Sequence, residues 1–234
     1  LLDNVEPPFE EKCPEDVVRK LSKMYDSKDI EDCYEEIVSL YNDKILFSED
    51  DYEKYALSAV ASPIKAMCLH IAHDCNLRCK YCFASTGDFG QGRMLMDYET
   101  GKRAIDFLIE RSGDRKFLEV DFFGGEPLLN FEVVKQLVDY GNQEAQKHNK
   151  LFRFTITTNG VLLDDEKIEY INANMHNVVL SLDGRKEIND KMRLTLNDKG
   201  SYDVIVPKFQ KLVSERPKDK FYYIRGTFTR HSMD

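Results

Sequence analysis

The feature that most constrains the fold is a regular alternation of strand-like and helix-like segments that begins at Lys65. The strand candidates are rich in apolar residues, and the helix candidates repeat apolar residues at helical spacing. The strand candidates are 65–72, 117–123, 151–158, 177–182 and 221–228, and the helix candidates are 97–112, 130–147, 164–174 and 201–214. Nearly continuous apolar strands such as 117–123 are typical of a parallel sheet that helices cover. The pattern therefore predicts an α/β fold.

The number of strands limits which α/β architecture fits. Strands that alternate with helices predict a TIM-like barrel, and a closed barrel needs more strands than this chain contains. We therefore expect a partial (βα)6 barrel. Because the first residue is Leu1 and the last residues follow a strand-like run without a closing element, we also expect truncation at both ends. Asp97, Asn130 and Asp164 stand where the first turn of a helix needs a side-chain acceptor.

A different pattern precedes the barrel segment. Residues 14–25 and 29–41 carry apolar residues at helical spacing, and 43–47 resembles a turn and a short strand. This order of two helices and a strand predicts a small winged-helix-like unit. Pro63 marks the boundary, so we expect two domains, one at 1–62 and one at 63–234.

Charge and composition exclude several classes of function. Residues 1–60 contain 17 acidic and 7 basic side chains, whereas the rest of the chain contains 25 and 26. An acidic first unit is a poor match for a phosphate backbone, so we expect no nucleic-acid partner. No apolar run approaches the roughly 18 residues of a membrane span, and no signal peptide is evident. These observations predict a cytoplasmic protein without a membrane partner.

Three of the six cysteines lie within eight residues of one another. Cys75, Cys79 and Cys82 directly follow the first strand of the predicted sheet, where active-site loops of such folds lie. Three thiolates can bind three irons of a 4Fe-4S cluster and leave the fourth iron open for a small molecule. The alternative is a structural zinc site with His73 or Cys68 as the fourth ligand.

Polar motifs follow three later strands of the predicted sheet. They are Gly124-Gly125-Glu126-Pro127, Thr157-Thr158-Asn159-Gly160 and Ser181-Leu182-Asp183-Gly184. Because the carboxyl ends of parallel strands meet at one edge, we expect these motifs to face one pocket. Taken singly, each motif also fits an ordinary turn. Alternation along strand 221–228 would place Tyr223, Arg225 and Thr227 on one face, which either lines the pocket or faces solvent.

The cysteine spacing, with aromatic Tyr81 before the last cysteine, resembles the hallmark of the radical S-adenosylmethionine superfamily over about residues 65–230. The resemblance implies that the cluster cleaves S-adenosylmethionine reductively and that a 5′-deoxyadenosyl radical abstracts a substrate hydrogen. It also implies cofactor-binding roles for particular residues. In similar enzymes the Gly-Gly-Glu-Pro turn holds the methionine amino group, the Asn and Ser motifs contact ribose or carboxylate, and an Arg pairs with the carboxylate. The matching residues here are Tyr81, Gly124, Gly125, Glu126, Asn159, Ser181, Asp183 and Arg193, with Arg185 as a competitor for Arg193.

The Cys82-Phe83 ending of the cysteine motif, the Gly-Gly-Glu-Pro turn and the stretch 181–190 together resemble the peptide-modifying branch with a SPASM-type C-terminal extension. The acidic first unit resembles the leader-recognition element of peptide maturases, which favours the thioether maturases of six-cysteine clostridial peptides within that branch. This resemblance implies a precursor peptide whose leader binds the first unit, a flavodoxin or ferredoxin as electron donor, and auxiliary 4Fe-4S clusters in the full-length protein. No cysteine follows Cys82, so this chain is not expected to hold auxiliary clusters. Sulfatase maturases and the molybdenum-cofactor cyclase are the enzyme alternatives. Cys13, Cys33 and Cys68 are predicted to be buried thiols.

Overall fold

The structure is a computed structural model that describes residues 1–48, 50, 52, 55, 56 and 62–230. The chain folds into two compact units, Leu1–Ser62 and Pro63–Asp234. Each unit has its own cluster of buried apolar side chains. The two units are therefore described separately.

A six-stranded sheet forms the centre of the second unit. Its strands are β1 (Ala66–His73), β3 (Met94–Leu95), β4 (Phe117–Gly124), β5 (Leu151–Thr158), β6 (Asn177–Ser181) and β8 (Phe221–Arg225). The strand order is β3-β1-β4-β5-β6-β8, in which β3 is antiparallel to β1 and every other neighbouring pair is parallel. Parallel neighbours must be joined by crossovers, and helices fill these connections. The predicted α/β fold is confirmed.

The main helices bury one face of this sheet. They are α3 (Tyr98–Arg111), α4 (Phe131–Lys147), α5 (Asp165–Asn174) and α7 (Tyr202–Ser214). Strand residues that point toward the helices, such as Leu118, Val120 and Phe122, are at most 1% exposed. Residues that alternate with them, such as Glu119 and Asp121, are only half-buried. The opposite face, here called the inner face, therefore carries polar side chains that the helices do not cover.

Short elements in two connections were not predicted. A two-stranded antiparallel sheet pairs β2 (Leu77–Cys79) with β7 (Arg193–Thr195), and α6 (Lys186–Met192) precedes β7. Strands of three residues give no alternation that a sequence pattern could detect. The two strands form because the fold of the second unit places these segments next to each other.

The predicted helix starts are confirmed at two of three positions. Asp97 accepts a hydrogen bond from the amide of Thr100, and Asp164 accepts one from Lys167. Asn130 precedes α4, but its side chain does not cap that helix. Its amide nitrogen instead donates to the carbonyl oxygens of Ile71 and Met96. The expected cap at Asn130 is therefore wrong, because that side chain joins β1 to the segment after β3.

The first unit contains α1 (Glu15–Leu21) and α2 (Ser27–Asn42), and Asp26 caps α2 through the amide of Lys28. The strand predicted at 43–47 is wrong. The amides of Ile45 and Leu46 both bond to the carbonyl of Leu40, which closes the end of the helix with a turn. Within the described part of residues 1–62 no strand is present, so the wing of the expected winged-helix-like unit is missing there.

Two cysteines lie in different surroundings from those predicted. Cys33 on α2 is exposed, because it lies at the edge of the helix face that buries Ile30, Tyr34 and Ile37. Cys68 on β1 is also exposed, because strand alternation places it on the inner face of the sheet. Cys13 is half-buried and packs against the apolar cluster of the first unit.

Among the described residues, no helix has the length and apolar character needed to cross a bilayer.

Candidate functional site

The three clustered cysteines lie in one pocket at the carboxyl ends of the parallel strands. Cys75, Cys79 and Cys82 are all half-buried in its wall. The other lining residues come from the cysteine loop, from the ends of β4, β5, β6 and β8, and from β7. They include Tyr81, Phe83, Phe123, Gly124, Gly125, Glu126, Thr157, Asn159, Ser181, Arg193, Arg225 and Thr227. The sheet therefore gathers the sequence motifs into one site.

Hydrogen bonds from the loop's own residues fix its path. The Asp74 carboxylate accepts from the amide of Cys75 at 2.8 Å and forms an ion pair with Arg93. The guanidinium of Arg78 donates to the carbonyl oxygens of Cys75 and Leu77, each at 2.7 Å. Arg78 therefore points inward on the loop and fixes its curvature, although it does not line the pocket.

The Gly124-Gly125-Glu126 turn joins the end of β4 to the start of the cysteine loop. The amide of Gly125 donates to Ala72 O and the amide of Glu126 donates to Asp74 O, both at 2.8 Å. A Cβ atom on Gly125 would overlap the Asp74 carbonyl, and Gly124 has a φ of +126°. Both positions therefore need glycine, since only glycine permits this backbone conformation and close approach.

The Glu126 carboxylate is 1% exposed and is held by protein donors. Oε1 accepts from the Leu128 amide and the Thr158 hydroxyl, and Oε2 accepts from the Asn159 amide at 2.8 Å. Burial raises the pKa of Glu126 to about 7, while these hydrogen bonds act in the opposite direction. In this structure the carboxylate holds the end of β5 against the Gly-Gly turn.

Asn159 links β5 to the first cysteine. Its side-chain nitrogen donates to the side-chain oxygen of Asn76 at 2.8 Å and lies 3.6 Å from the sulfur of Cys75. Its side-chain oxygen accepts from the amide of Val161 at 3.0 Å. A donor beside a cysteine sulfur stabilises the charged form of that sulfur, so Asn159 can support a ligated thiolate.

Tyr81, Asp183 and Arg193 form a buried polar chain beside the other two cysteines. The Tyr81 hydroxyl donates to Asp183 at 2.6 Å and accepts from Arg193 at 2.7 Å. Asp183 also accepts from the amide of Thr227, just beyond β8. Burial raises the pKa of Tyr81 to about 12, although the Arg193 charge acts against this rise. The phenol is therefore neutral, and it joins the cysteine loop to β6, β7 and β8.

A polar network holds β7 on the cysteine loop. Residues 183–201, here called the clamp segment, run from the end of β6 through α6 and β7. The fully buried side chain of Asn189 accepts from the amide of Asp183 and donates to the hydroxyl of Ser201, which in turn donates to Arg193 O. Register pairs Cys79 with Arg193. The clamp segment therefore sets the position of Cys79.

The spacing of the three thiols is one that a 4Fe-4S cubane can accept. Burial raises the pKa of Cys75 to about 12 and also raises that of Cys79, so iron binding would supply the energy to deprotonate them. Among the residues that the structure describes, no three His, Cys, Asp or Glu side chains converge closely enough to hold one ion. A cubane instead binds each cysteine to a different iron.

A family of 4Fe-4S single cluster domains matches residues 65–207, which is more than half of the chain. The chain belongs to this family, within the radical S-adenosylmethionine superfamily. Its cofactors are a 4Fe-4S cluster and S-adenosylmethionine. The matched residues contain the cysteine loop, the three strand-end motifs and the clamp segment. Sequence reasoning had placed the superfamily resemblance on these same motifs.

Similar proteins extend well beyond this chain. An uncharacterized protein of Methanocaldococcus jannaschii is 36% identical over 59% of this chain and 45% of its own length. A cysteine-type anaerobic sulfatase-maturating enzyme of Clostridium novyi is 32% identical over 57% of this chain and 36% of its own length. The chain thus spans less than half the length of these relatives. A solved structure of anSMEcpe with bound AdoMet and Cp18Cys peptide shares the fold, with a TM-score of 0.59, 22% identity, and 69% and 42% of the two chains covered.

The radical S-adenosylmethionine core brings most of the predicted site residues to the pocket. Of the two candidate arginines, Arg193 lies in the pocket wall, whereas Arg185 is exposed and lies beside Glu187. Asp183 does not line the pocket and acts through Tyr81. Arg225 and Thr227 line it, as expected for one outcome of the strand alternation.

Sequence reasoning missed an aromatic wall on the open side of the pocket. Phe83 is 71% exposed, and its ring lies parallel to that of Phe123 with centroids 6.4 Å apart. Phe89 lies 6.0 Å from Phe83 and stacks on His70 at 4.6 Å. An exposed aromatic ring in the pocket wall provides an apolar surface for a ligand. The position of Phe83 directly after Cys82 is the one sequence signal that could have identified it.

Proposed function

We propose that Cys75, Cys79 and Cys82 hold the 4Fe-4S cluster and that the intact enzyme forms a thioether crosslink at a cysteine of a precursor peptide. The observation that carries the proposal is the shared pocket. Three thiols, a Gly-Gly turn and polar strand ends all lie in its wall. When bound, the cluster would supply the electron that cleaves S-adenosylmethionine, and the cleavage would supply the radical that abstracts hydrogen. The chain's own residues would bind and position these groups.

The chain's own residues would bind and orient the cofactor. Arg193 is 7% exposed, and its Nε atom has no hydrogen-bond partner, so a carboxylate of the methionine moiety would complete its contacts. Ser181 and Asn159 offer neutral hydrogen-bond groups from two neighbouring strand ends. The Gly124-Gly125 turn allows the backbone to approach the ligand closely. Glu126 and Tyr81 would act by holding these groups in place.

The substrate class rests on similarity and on charge. The curated relative from Clostridium novyi bears the name of a cysteine-type maturating enzyme, and the solved neighbour carries a peptide. The acidic first unit suits a leader peptide that is basic or weakly charged, and a flavodoxin or ferredoxin would supply the electron. A sulfatase-maturase-like activity is the second candidate, favoured by the 32% identity to the Clostridium novyi enzyme.

The first experiment is anaerobic reconstitution with iron and sulfide, followed by electron paramagnetic resonance of the reduced protein. We expect a 4Fe-4S signal that shifts when S-adenosylmethionine is added. Cys79→Ala should abolish it, and Cys68→Ala, which changes a cysteine outside the pocket, should not. A well-folded protein that binds no cluster would refute the proposal.

Product analysis separates the two candidate activities. A candidate precursor peptide with several cysteines should lose two hydrogens, keep its sulfur, and show a crosslink by fragmentation mass spectrometry. A sulfatase-derived cysteine peptide serves as the comparison substrate. Modification of the sulfatase peptide alone would favour the second candidate and count against the thioether activity.

A further inference from the structure

An acidic and a basic side chain share the inner face of the sheet beside the pocket. Asp121 lies on β4, two residues before Phe123, which lines the pocket. Arg225 ends β8 and lines the pocket itself. The sheet order separates these strands by β5 and β6. The proposed cofactor contacts use neither side chain.

Arg225 reaches across the inner face toward β4. Its guanidinium carbon lies 5.7 Å from the centre of the Phe123 ring, so the side chain crosses above the end of β6 and β5. A guanidinium that stacks on an aromatic ring contacts the ring with its flat face. The N–H groups along the edge of the guanidinium therefore remain free to donate to a ligand. Arg225 therefore presents hydrogen-bond donors to the floor of the pocket.

Asp121 does not itself line the pocket, but it contacts one residue that does. The hydroxyl of Thr157 lies 3.4 Å from its carboxylate oxygen, a long hydrogen bond. Burial raises the pKa of Asp121 to about 6, and the Thr157 contact and the charge of Arg225 limit the rise. Among the residues that the structure describes, neither Asp121 nor Arg225 takes part in an ion pair within 4 Å. Both charges thus remain available for a ligand.

The titratable groups that face Asp121 on the sheet are Cys68 and His70 on β1, Glu119 on β4, Arg153 on β5, and Tyr223 and Arg225 on β8, while the described residues of β6 contribute none. Cys68 lies directly opposite Asp121 in the register, and burial together with that carboxylate raises the pKa of its thiol. Glu119 pairs with Lys65, and Arg153 stacks over Phe117. His70 stacks on Phe89, and burial lowers its pKa, so it is neutral at pH 7. Arg225 is the one cation of this set that lines the pocket.

We propose that Asp121 and Arg225 bind the thiol of the reacting cysteine in the peptide substrate, with Asp121 accepting its proton and Arg225 pairing with the thiolate. The inference rests on the proposed function and names the group that the site selects. The S–H bond breaks, an O–H bond forms on Asp121, and the electron pair stays on sulfur, so no oxidant or reductant is needed. A hydroxyl in place of the thiol is far less acidic and would not be ionised. The pair therefore selects cysteine over serine.

The test uses two pools of synthetic nonapeptides with random flanks, one with a central cysteine and one with a central serine. Each pool is mixed anaerobically, under reductant, with reconstituted protein that carries S-adenosylmethionine, and retention by ultrafiltration is measured. We expect the wild-type protein to retain the cysteine pool about tenfold better, as a hydrogen bond to a charged group would give. The preference should fall below pH 6, where Asp121 becomes protonated.

Matched variants separate the two residues from their surroundings. Asp121→Asn and Arg225→Gln should each reduce the preference about tenfold, and Asp121→Asn should remove its pH dependence. Glu119→Gln lies on the same strand and face, and Arg153→Gln removes the equivalent stacked arginine far from the pocket, so both should behave as wild type. Thiol binding to the cluster alone would not respond to Asp121→Asn or to Arg225→Gln.

Three results would overturn the inference: no preference in the wild-type protein, an unchanged preference in Asp121→Asn and Arg225→Gln, or equal losses in the control variants. Cluster content and the paramagnetic shift on adding S-adenosylmethionine are recorded for every variant and show that each one is folded and loaded. A wild-type protein that lacks this shift refutes the proposed function. A normal shift without thiol selection refutes the inference alone.

Discussion

At the scale of single residues, Asp121 shows a conflict between stability and a functional charge. Its folded-state pKa is about 6, above the ordinary value of 3.8, because burial disfavours the carboxylate. The folded protein therefore binds this proton more tightly than the unfolded chain, and the cost grows as pH rises from about 4 to 6. Above pH 6 the cost is constant.

We therefore expect Asp121→Asn to stabilise the cluster-free protein at pH 7.5 by roughly 1 to 2 kcal/mol, a value reduced for the partial exposure of the carboxylate. The gain should shrink as pH falls from 6 toward 4. Urea unfolding followed by circular dichroism at several pH values measures both effects. Glu119→Gln is the control and should not stabilise, because it removes the ion pair with Lys65. A gain that is equal at pH 5 and pH 7.5 would contradict the electrostatic origin.

The sequence predicted the site residues that belong to a recognisable motif. It did not predict the residues that reach the site only because they lie on the inner face of the sheet. The spacing of Cys75, Cys79 and Cys82 is typical of only a few kinds of metal site. Phe123, in contrast, belongs to an apolar strand in which only the sheet decides which side chains face the pocket, and Asp121 on the same face contacts the lining residue Thr157. Cys68 was mispredicted for the same reason. The apolar sequence around it is typical of a buried strand, but the sheet places Cys68 on the exposed inner face.

At the scale of elements, the clamp segment determines how firmly the cysteine loop is held. Asn189 is fully buried and contacts Asp183 and Ser201, so one side chain ties the start of the clamp segment to its end. Replacing it with an apolar residue of similar size leaves the amide of Asp183 and the hydroxyl of Ser201 with one partner fewer. Together the two lost contacts cost about 1 to 3 kcal/mol, because the contact to the Asp183 amide is long at 3.4 Å.

We expect Asn189→Leu to lower the free energy of opening of β2 and β7 by about 1 to 3 kcal/mol while leaving β4 and β5 protected. Amide hydrogen exchange measured by mass spectrometry resolves these segments. Asn174→Leu is the matched control, because that residue is exposed near the end of α5. Equal deprotection of the whole sheet would show that Asn189 supports global stability rather than the clamp segment.

The elements that sequence could not predict are those made by pairing between segments distant along the chain. The long helices and parallel strands follow from local apolar periodicity, and their observed bounds agree within a few residues. The pairing of β2 with β7 depends on segments more than 100 residues apart, at register pairs such as Cys79 with Arg193. The error at 43–47 has the opposite cause: apolar Ile45, Leu46 and Phe47 suggested a strand, but left-handed Lys44 and Phe47 form a turn.

At the scale of the whole molecule, two units with separate cores suggest that cofactor binding and leader binding belong to different units. The apolar clusters share no residue, and the family match at 65–207 lies entirely within the second unit. All residues of the proposed cluster and cofactor site also lie in the second unit. The acidic side chains that would attract a leader peptide lie in the first.

This division predicts that a protein beginning at Pro63 keeps its cluster. After anaerobic reconstitution we expect the iron content per chain and the paramagnetic shift with S-adenosylmethionine to match those of the whole chain, because residues 63–234 have their own core. Binding of a fluorescent leader peptide should be lost, since the acidic unit is removed. Substitutions that remove negative charge from α2, such as Glu35→Gln with Glu36→Gln, should weaken leader binding in the whole chain without changing the cluster. Loss of iron on truncation would show instead that the first unit contributes to the cluster site.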